Sequence, residues 1–146
     1  MIHPSLDAFL KAGKPLLAKG PVALIFVEDD VEVDTTLRHH LSCGFTTLCV
    51  FMPEAFALAD DIAPQVQRVA FDCGRAGAVI DAVNRITAAA TPGCWLYYGY
   101  NAEYLFYPFC ESRTVREMLV FHAEERRDAM LTYVIDLYAD DLDAHP

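Results

Sequence analysis

The chain has 146 residues, 54% of them hydrophobic, and a formal net charge of −10, a length and composition suited to one domain around one core. That charge argues against nucleic acid or an anionic membrane surface as a partner, because either would be approached against a repulsive field. The longest apolar runs, Val22 to Val27 and Leu48 to Met52, fall far short of the roughly 20 residues that span a bilayer, so no membrane span is expected.

Residues 1–20 mix Leu6, Phe9, Leu10, Leu16 and Leu17 with Lys11, Lys14 and Lys19. Without a continuous apolar stretch followed by a small-residue cleavage site they do not form a signal peptide, and they read as an N-terminal extension. Val22 to Val27 is an unbroken β-favouring run that ends in Glu28-Asp29-Asp30. Such a run must be covered on both faces, which predicts a central strand of a parallel sheet. Asp34 as N-cap, Leu37 and Leu41 at helical spacing and Gly44 as C-cap predict a helix from Asp34 to Cys43.

The alternation continues with a strand from Thr46 to Met52, a short helix from Pro53 to Asp61 and a strand from Val66 to Asp72. Val79, Val83, Ile86 and Ala90 line one face of a helix from Ala78 to Ala90, which Thr91-Pro92-Gly93 ends ahead of a strand from Cys94 to Tyr98. Thr114 and Glu117 are spaced as a capping box for a charged helix to about Arg127, with Val115, Leu119 and His122 toward the sheet. Met130 to Leu137 is predicted as a last strand, and 139–146 as an acidic, frayed tail. Strands alternating with helices imply right-handed crossovers and a three-layer α/β sandwich with a mostly parallel sheet.

Several motifs lose to plainer readings. His39 and His40 are adjacent on a helix and diverge by about 100°, a poor grip for one ion. Gly74 and Gly77 lie between a strand and a helix but lack the spacing of a dinucleotide-binding turn. No nucleophile elbow and no phosphate-loop lysine occur. The five cysteines, Cys43, Cys49, Cys73, Cys94 and Cys110, are odd in number and sit mostly in apolar segments. They read as reduced core thiols of a cytoplasmic protein, without disulfides or structural zinc. Asp29-Asp30 and Asp60-Asp61 read as solvated charge, and the aromatic residues from Trp95 to Phe109 as core or interface packing.

Glu28, then Thr36 to Leu41 with Gly44-Phe45, Trp95-Leu96, Asn101 to Leu105 and Asp136-Leu137-Tyr138, together resemble the bacterial family 2 glycosyltransferases of the GT-A fold, in their nucleotide-sugar-binding half. The resemblance covers most of 22–138 in short pieces. It implies transfer of a sugar from a nucleoside diphosphate sugar, with Glu28, Glu54 and Asp72 bordering the nucleotide. It also places Asn101 and Glu103 where that family holds Mn²⁺ or Mg²⁺ on paired aspartates.

Here Gly99 or Asn101 and Ala102 stand in for those aspartates, and one carboxylate with one amide makes a weak site for a hard cation. Asp141 and Asp143 form an Asp-x-Asp only in the tail. No residue takes the role of catalytic base by resemblance, and the chain ends near where an acceptor-binding half would begin. The expectation is a degenerate or incomplete transferase domain. Its alternative is a non-catalytic binding or assembly module on the same fold, whose aromatic patch and last strand would serve a partner or a second copy in a homodimer. A flavodoxin-like or receiver-like regulator draws support from the acids at 28–30 but lacks the expected lysine near the last strand.

Overall fold

A computed structural model describes residues 1–137 and 144. Five strands, β1 (Ile2–His3), β2 (Val22–Phe26), β3 (Thr47–Met52), β4 (Gln67–Ala70) and β5 (Leu96–Tyr100), form one sheet in the order β1-β4-β3-β2-β5. Every pairing in it is parallel. Helices α1 (Leu6–Ala12), α2 (Val33–Ser42), α3 (Ala78–Ala89) and α4 (Val115–Glu124) complete the fold.

The apolar run at 22–27 does what its composition requires. All five residues of β2 are buried, and the pleat sends alternate side chains to opposite faces. Val22, Leu24 and Phe26 join Phe9 of α1 and Ala82 and Ile86 of α3 in one core. Ala23, Ile25 and Val27 join Val33 and Leu37 of α2 with Ile62 and Val66 in the other. The sheet is therefore sandwiched between two apolar layers. The α4 helix lies outside them, its Val115 and Leu119 packed with Cys43 and Tyr107 rather than on the sheet. Its capping box is complete, because the Thr114 hydroxyl accepts from the Glu117 amide and the Glu117 carboxylate accepts from the Thr114 amide.

Gly44 shows why α2 stops where it does. Its φ is +82°, and a Cβ there would lie 2.9 Å from the Thr114 Cβ, so only glycine allows α4 to start against the end of α2.

Besides this placement of α4, the structure departs from the sequence reading elsewhere. Residues 1–20 are built into the fold: β1 pairs with β4 at the sheet edge, and Leu6, Phe9 and Leu17 are core. The α2 N-cap is Glu32 rather than Asp34, whose carboxylate instead accepts from the Ala59 amide. Residues 53–61 form no helix. Their carbonyls are drawn to Arg68, whose Nη2 donates to the oxygens of Pro53, Glu54 and Phe56, while Phe56 and Leu58 pack on the α2-side core. The fourth long strand begins at Leu96, two residues after the expected Cys94, and ends at Tyr100.

The largest departure is at 130–137, which forms no strand. Strand-forming residues make a strand only when a neighbouring edge accepts their backbone groups, and among the described residues none pairs with them. The acidic tail, including Asp141 and Asp143, falls outside the described residues apart from Ala144.

Phe51 is fully buried, stacked on Phe26 at 4.8 Å and edge-on to Phe9 at 5.9 Å. Phe51→Ala is expected to lower unfolding stability in urea by about 3–5 kcal/mol. Ile80→Ala, on the exposed face of α3, should change it by less than about 0.5 kcal/mol.

Candidate functional site

Strand order fixes where a ligand can enter. From β2 the chain moves through α2 to β3 on one side, whereas β4 returns through α3 to β5 on the other side. The order reverses between β2 and β5, and open α/β sheets bind ligands in the crevice outside the carboxyl ends of such strands. The residues there are Glu28 to Glu32 after β2 and Asn101 to Tyr104 after β5.

Asn101 ties these two loops together. Asn101 Oδ1 accepts from the Glu28 amide at 2.9 Å, and Asn101 Nδ2 donates to Asp29 Oδ1 at 2.6 Å and to the Val31 carbonyl at 2.9 Å. The backbone of each loop passes through the left-handed region at a non-glycine residue, Glu32 at φ 52° and Ala102 at φ 61°. Such residues cost of order 1–3 kcal/mol each and persist only where their surroundings impose them. The buried hydroxyl of Thr36 joins both: it donates to the Glu32 carbonyl at 2.6 Å and accepts from the Ala102 amide at 2.9 Å. A second bridge links the Thr35 hydroxyl to the Tyr104 hydroxyl at 2.8 Å.

The crevice rim is acidic. Burial, reinforced by the charges of Glu28 and Asp72, pushes the Cys73 thiol up to about 11, so at neutral pH it is neither a thiolate nor a nucleophile. Burial and then the charges of Glu28, Cys73 and Glu103 hold the Tyr100 phenol above its ordinary value. Glu28, Asp72 and Glu103 thus share one electrostatic neighbourhood around Cys73 and Tyr100. Glu54 is elsewhere: it lies in the loop pinned by Arg68, and among the described residues no hydrogen bond or ion pair ties its carboxylate to the others.

The residues at the expected metal position are engaged otherwise. The Asn101 amide is spent on the loop, and Glu103 Oε2 accepts from the Tyr100 amide at 2.9 Å. Ala102 offers no ligand. Among the described residues no group of three or more His, Cys, Asp and Glu side chains converges in a way that could hold an ion. Asn101 and Glu103 therefore do not fit a Mn²⁺ or Mg²⁺ site, which needs several free anionic oxygens.

No protein-family model, no curated protein and no solved structure matches the chain. The likeness to family 2 glycosyltransferases rests on the motif residues alone. No helix among the described residues is long and apolar enough to cross a membrane.

Thr36 and Ala102 escaped the sequence reading as site residues. A threonine in the first turn of a helix gives no sign that its hydroxyl will serve a loop 66 positions away, and a left-handed alanine has no sequence signature.

Beneath Thr36 lies His40, fully buried, stacked on Tyr97 at 5.4 Å and tilted against Phe45. Its Nδ1 donates to the Thr36 carbonyl at 2.8 Å, so the ring is neutral with a bare Nε2, which has no hydrogen-bond partner among the described residues. Burial drives its pKa from 6.5 down to about 4. The unfolded chain therefore binds the extra proton first as pH falls, and stability should be full above pH 6.5 and decline toward pH 4. The His40 share of that loss is expected to be about 3 kcal/mol. His40→Phe should flatten the slope of unfolding free energy between those pH values, while an unchanged slope would assign it to other groups.

Proposed function

We propose that the chain is a glycosyltransferase-like binding module that uses the switch-point crevice without the cation chemistry of sugar transfer. The single observation behind this reading is Asn101: at the position where the resembling family holds its metal, the side chain is committed to closing the β2–α2 loop. Electrostatics favour the same conclusion. A diphosphate brings roughly three negative charges toward a carboxylate rim, and without a cation that approach is repulsive.

Carboxylates at a strand end instead accept hydrogen bonds from sugar hydroxyls, as the acidic residue of a dinucleotide fold does with ribose. Glu28, Asp72 and the Tyr100 phenol offer that chemistry, and the crevice is assigned a neutral, hydroxyl-rich ligand of the nucleoside or sugar class. Binding without transfer is the activity proposed.

Calorimetry with nucleosides and their diphosphates, each with and without Mn²⁺, tests this. A nucleoside should bind at least about ten-fold more tightly than its diphosphate, with Mn²⁺ altering the latter by less than about two-fold. Tight, Mn²⁺-dependent diphosphate binding would contradict it, and turnover of a nucleoside diphosphate sugar would restore the transferase reading.

A further inference from the structure

All five cysteines are free, and they divide between two parts of the molecule. Cys49, Cys73 and Cys94 belong to the core that the sheet shares with α1 and α3, and the pKa of none of them is moved by a second cysteine. Cys43 and Cys110 meet in a smaller core, where Cys110 packs against the cluster of Cys43, Tyr107, Val115 and Leu119. The charge of Cys110 acts on the Cys43 thiol, and both cysteines act on the Tyr107 phenol.

The backbone keeps these two thiols in place. Cys43 is the C-cap of α2, and its carbonyl accepts from the Val115 amide at 2.9 Å. One turn earlier on the same helix, His39 Nε2 donates to the Leu105 carbonyl at 2.8 Å. Both ends of the 105–115 loop are therefore anchored on the last turn of α2, and Cys110 lies midway between the anchors. Its own amide donates to the Tyr107 carbonyl at 3.1 Å, in a turn that the Tyr107 hydroxyl closes by donating to the Arg113 carbonyl at 2.8 Å. A carbonyl only accepts, so His39 Nε2 carries the hydrogen. That N–H also lies 3.6 Å from the Cys43 sulfur, where it supports negative charge on the sulfur.

We propose that Cys43 and Cys110 are a reversible redox pair, joined by exchange with a small-molecule disulfide of the glutathione class, and that their bond locks the 105–115 loop onto α2. Exposure assigns the roles. Cys110 is partly exposed, whereas Cys43 is buried. Burial, and then the charge of Cys110, pushes the Cys43 thiol up to about 11, too high for it to attack first. The Cys110 thiolate attacks one sulfur of the small disulfide, whose S–S bond breaks, and the released thiolate takes up the proton that Cys110 gave up. Cys43 then attacks the Cys110 sulfur, and the second small thiol leaves with the Cys43 proton. Both protein thiols are oxidised and the small disulfide is reduced to two thiols. The second step is intramolecular, so the nearness of Cys43 offsets its high pKa. This proposal does not depend on the ligand assigned to the crevice.

The native chain, incubated with oxidised glutathione, quenched in acid and alkylated in urea, tests it by peptide mass spectrometry. Two of the five thiols should be lost, in a peptide pair that links Cys43 to Cys110, and dithiothreitol should restore them. Amide exchange over 105–115 should slow when the bond forms. Cys43→Ser should instead accumulate one glutathione on Cys110, and Cys110→Ala should leave Cys43 unmodified, whereas Cys94→Ala should form the bond as the parent does. Five free thiols after oxidation, or a bond between any other two cysteines, overturns the proposal. So does a Cys43–Cys110 bond that forms only when oxidation is carried out in urea, or one that leaves exchange over 105–115 unchanged. The parent chain alone decides among these outcomes, whichever variants fold.

Discussion

The carboxamide of Asn101 is the interaction on which the candidate site depends. It lies just past the carboxyl end of β5 and reaches the loop that leaves β2, the two strands between which the sheet reverses its order. Its bond accepted from Glu28 and those donated to Asp29 and Val31 tie the two loops together, beside the links made by Thr36 and by Thr35 with Tyr104. With that bridge made, Glu32 and Ala102 are held in backbone conformations that neither residue favours, and the Thr36 hydroxyl finds one partner in each. The bridge is neutral, so it adds no charge to a rim already crowded with carboxylates.

That geometry changes the meaning of the motif. In the transferase family that the chain resembles by motif, the corresponding stretch would hold a cation with its carboxylates. Here the same stretch, Asn101-Ala102-Glu103, satisfies protein backbone: Asn101 that of Glu28 and Val31, Glu103 that of Tyr100. The loops are fixed by the protein rather than by an ion, at the cost of the oxygen ligands an ion needs. Burial, reinforced by the rim acids Glu28 and Asp72, raises the pKa of neighbouring Cys73, so that thiol is not an activated nucleophile beside the crevice.

Much of the fold was legible because hydrophobic periodicity reports burial directly. Val22 to Val27 could be nothing but a strand covered on both faces, and it is the strand around which both cores form. The Thr114 and Glu117 spacing gave a helix start that the structure reproduces to the hydrogen bond. Where the reading failed, a long-range partner decided. Residues 53–61 have helix-compatible residues, but Arg68 from the next strand collects their carbonyls. Met130 to Leu137 has strand composition, yet among the described residues no strand pairs with it, since propensity names a conformation and pairing depends on a neighbour. Residues 1–20 looked like an extension because β1 is only Ile2–His3, too short for a period to show. In the site, Glu28 and Asp72 were legible as acids at strand ends, whereas the part played by Asn101 depends on contacts about 70 residues apart in sequence.

The account stands on Asn101 as a structural bridge, and the most direct measurement compares Asn101→Ala and Asn101→Asp with the parent chain by urea unfolding and amide hydrogen exchange. Both variants are predicted to lose about 1–3 kcal/mol of stability and to speed exchange at the amides of 28–32, with Mn²⁺ giving the parent chain no added protection there. Parent-chain protection of those amides by Mn²⁺, with Asn101→Ala as stable as the parent, would make Asn101 a cation ligand and contradict the account.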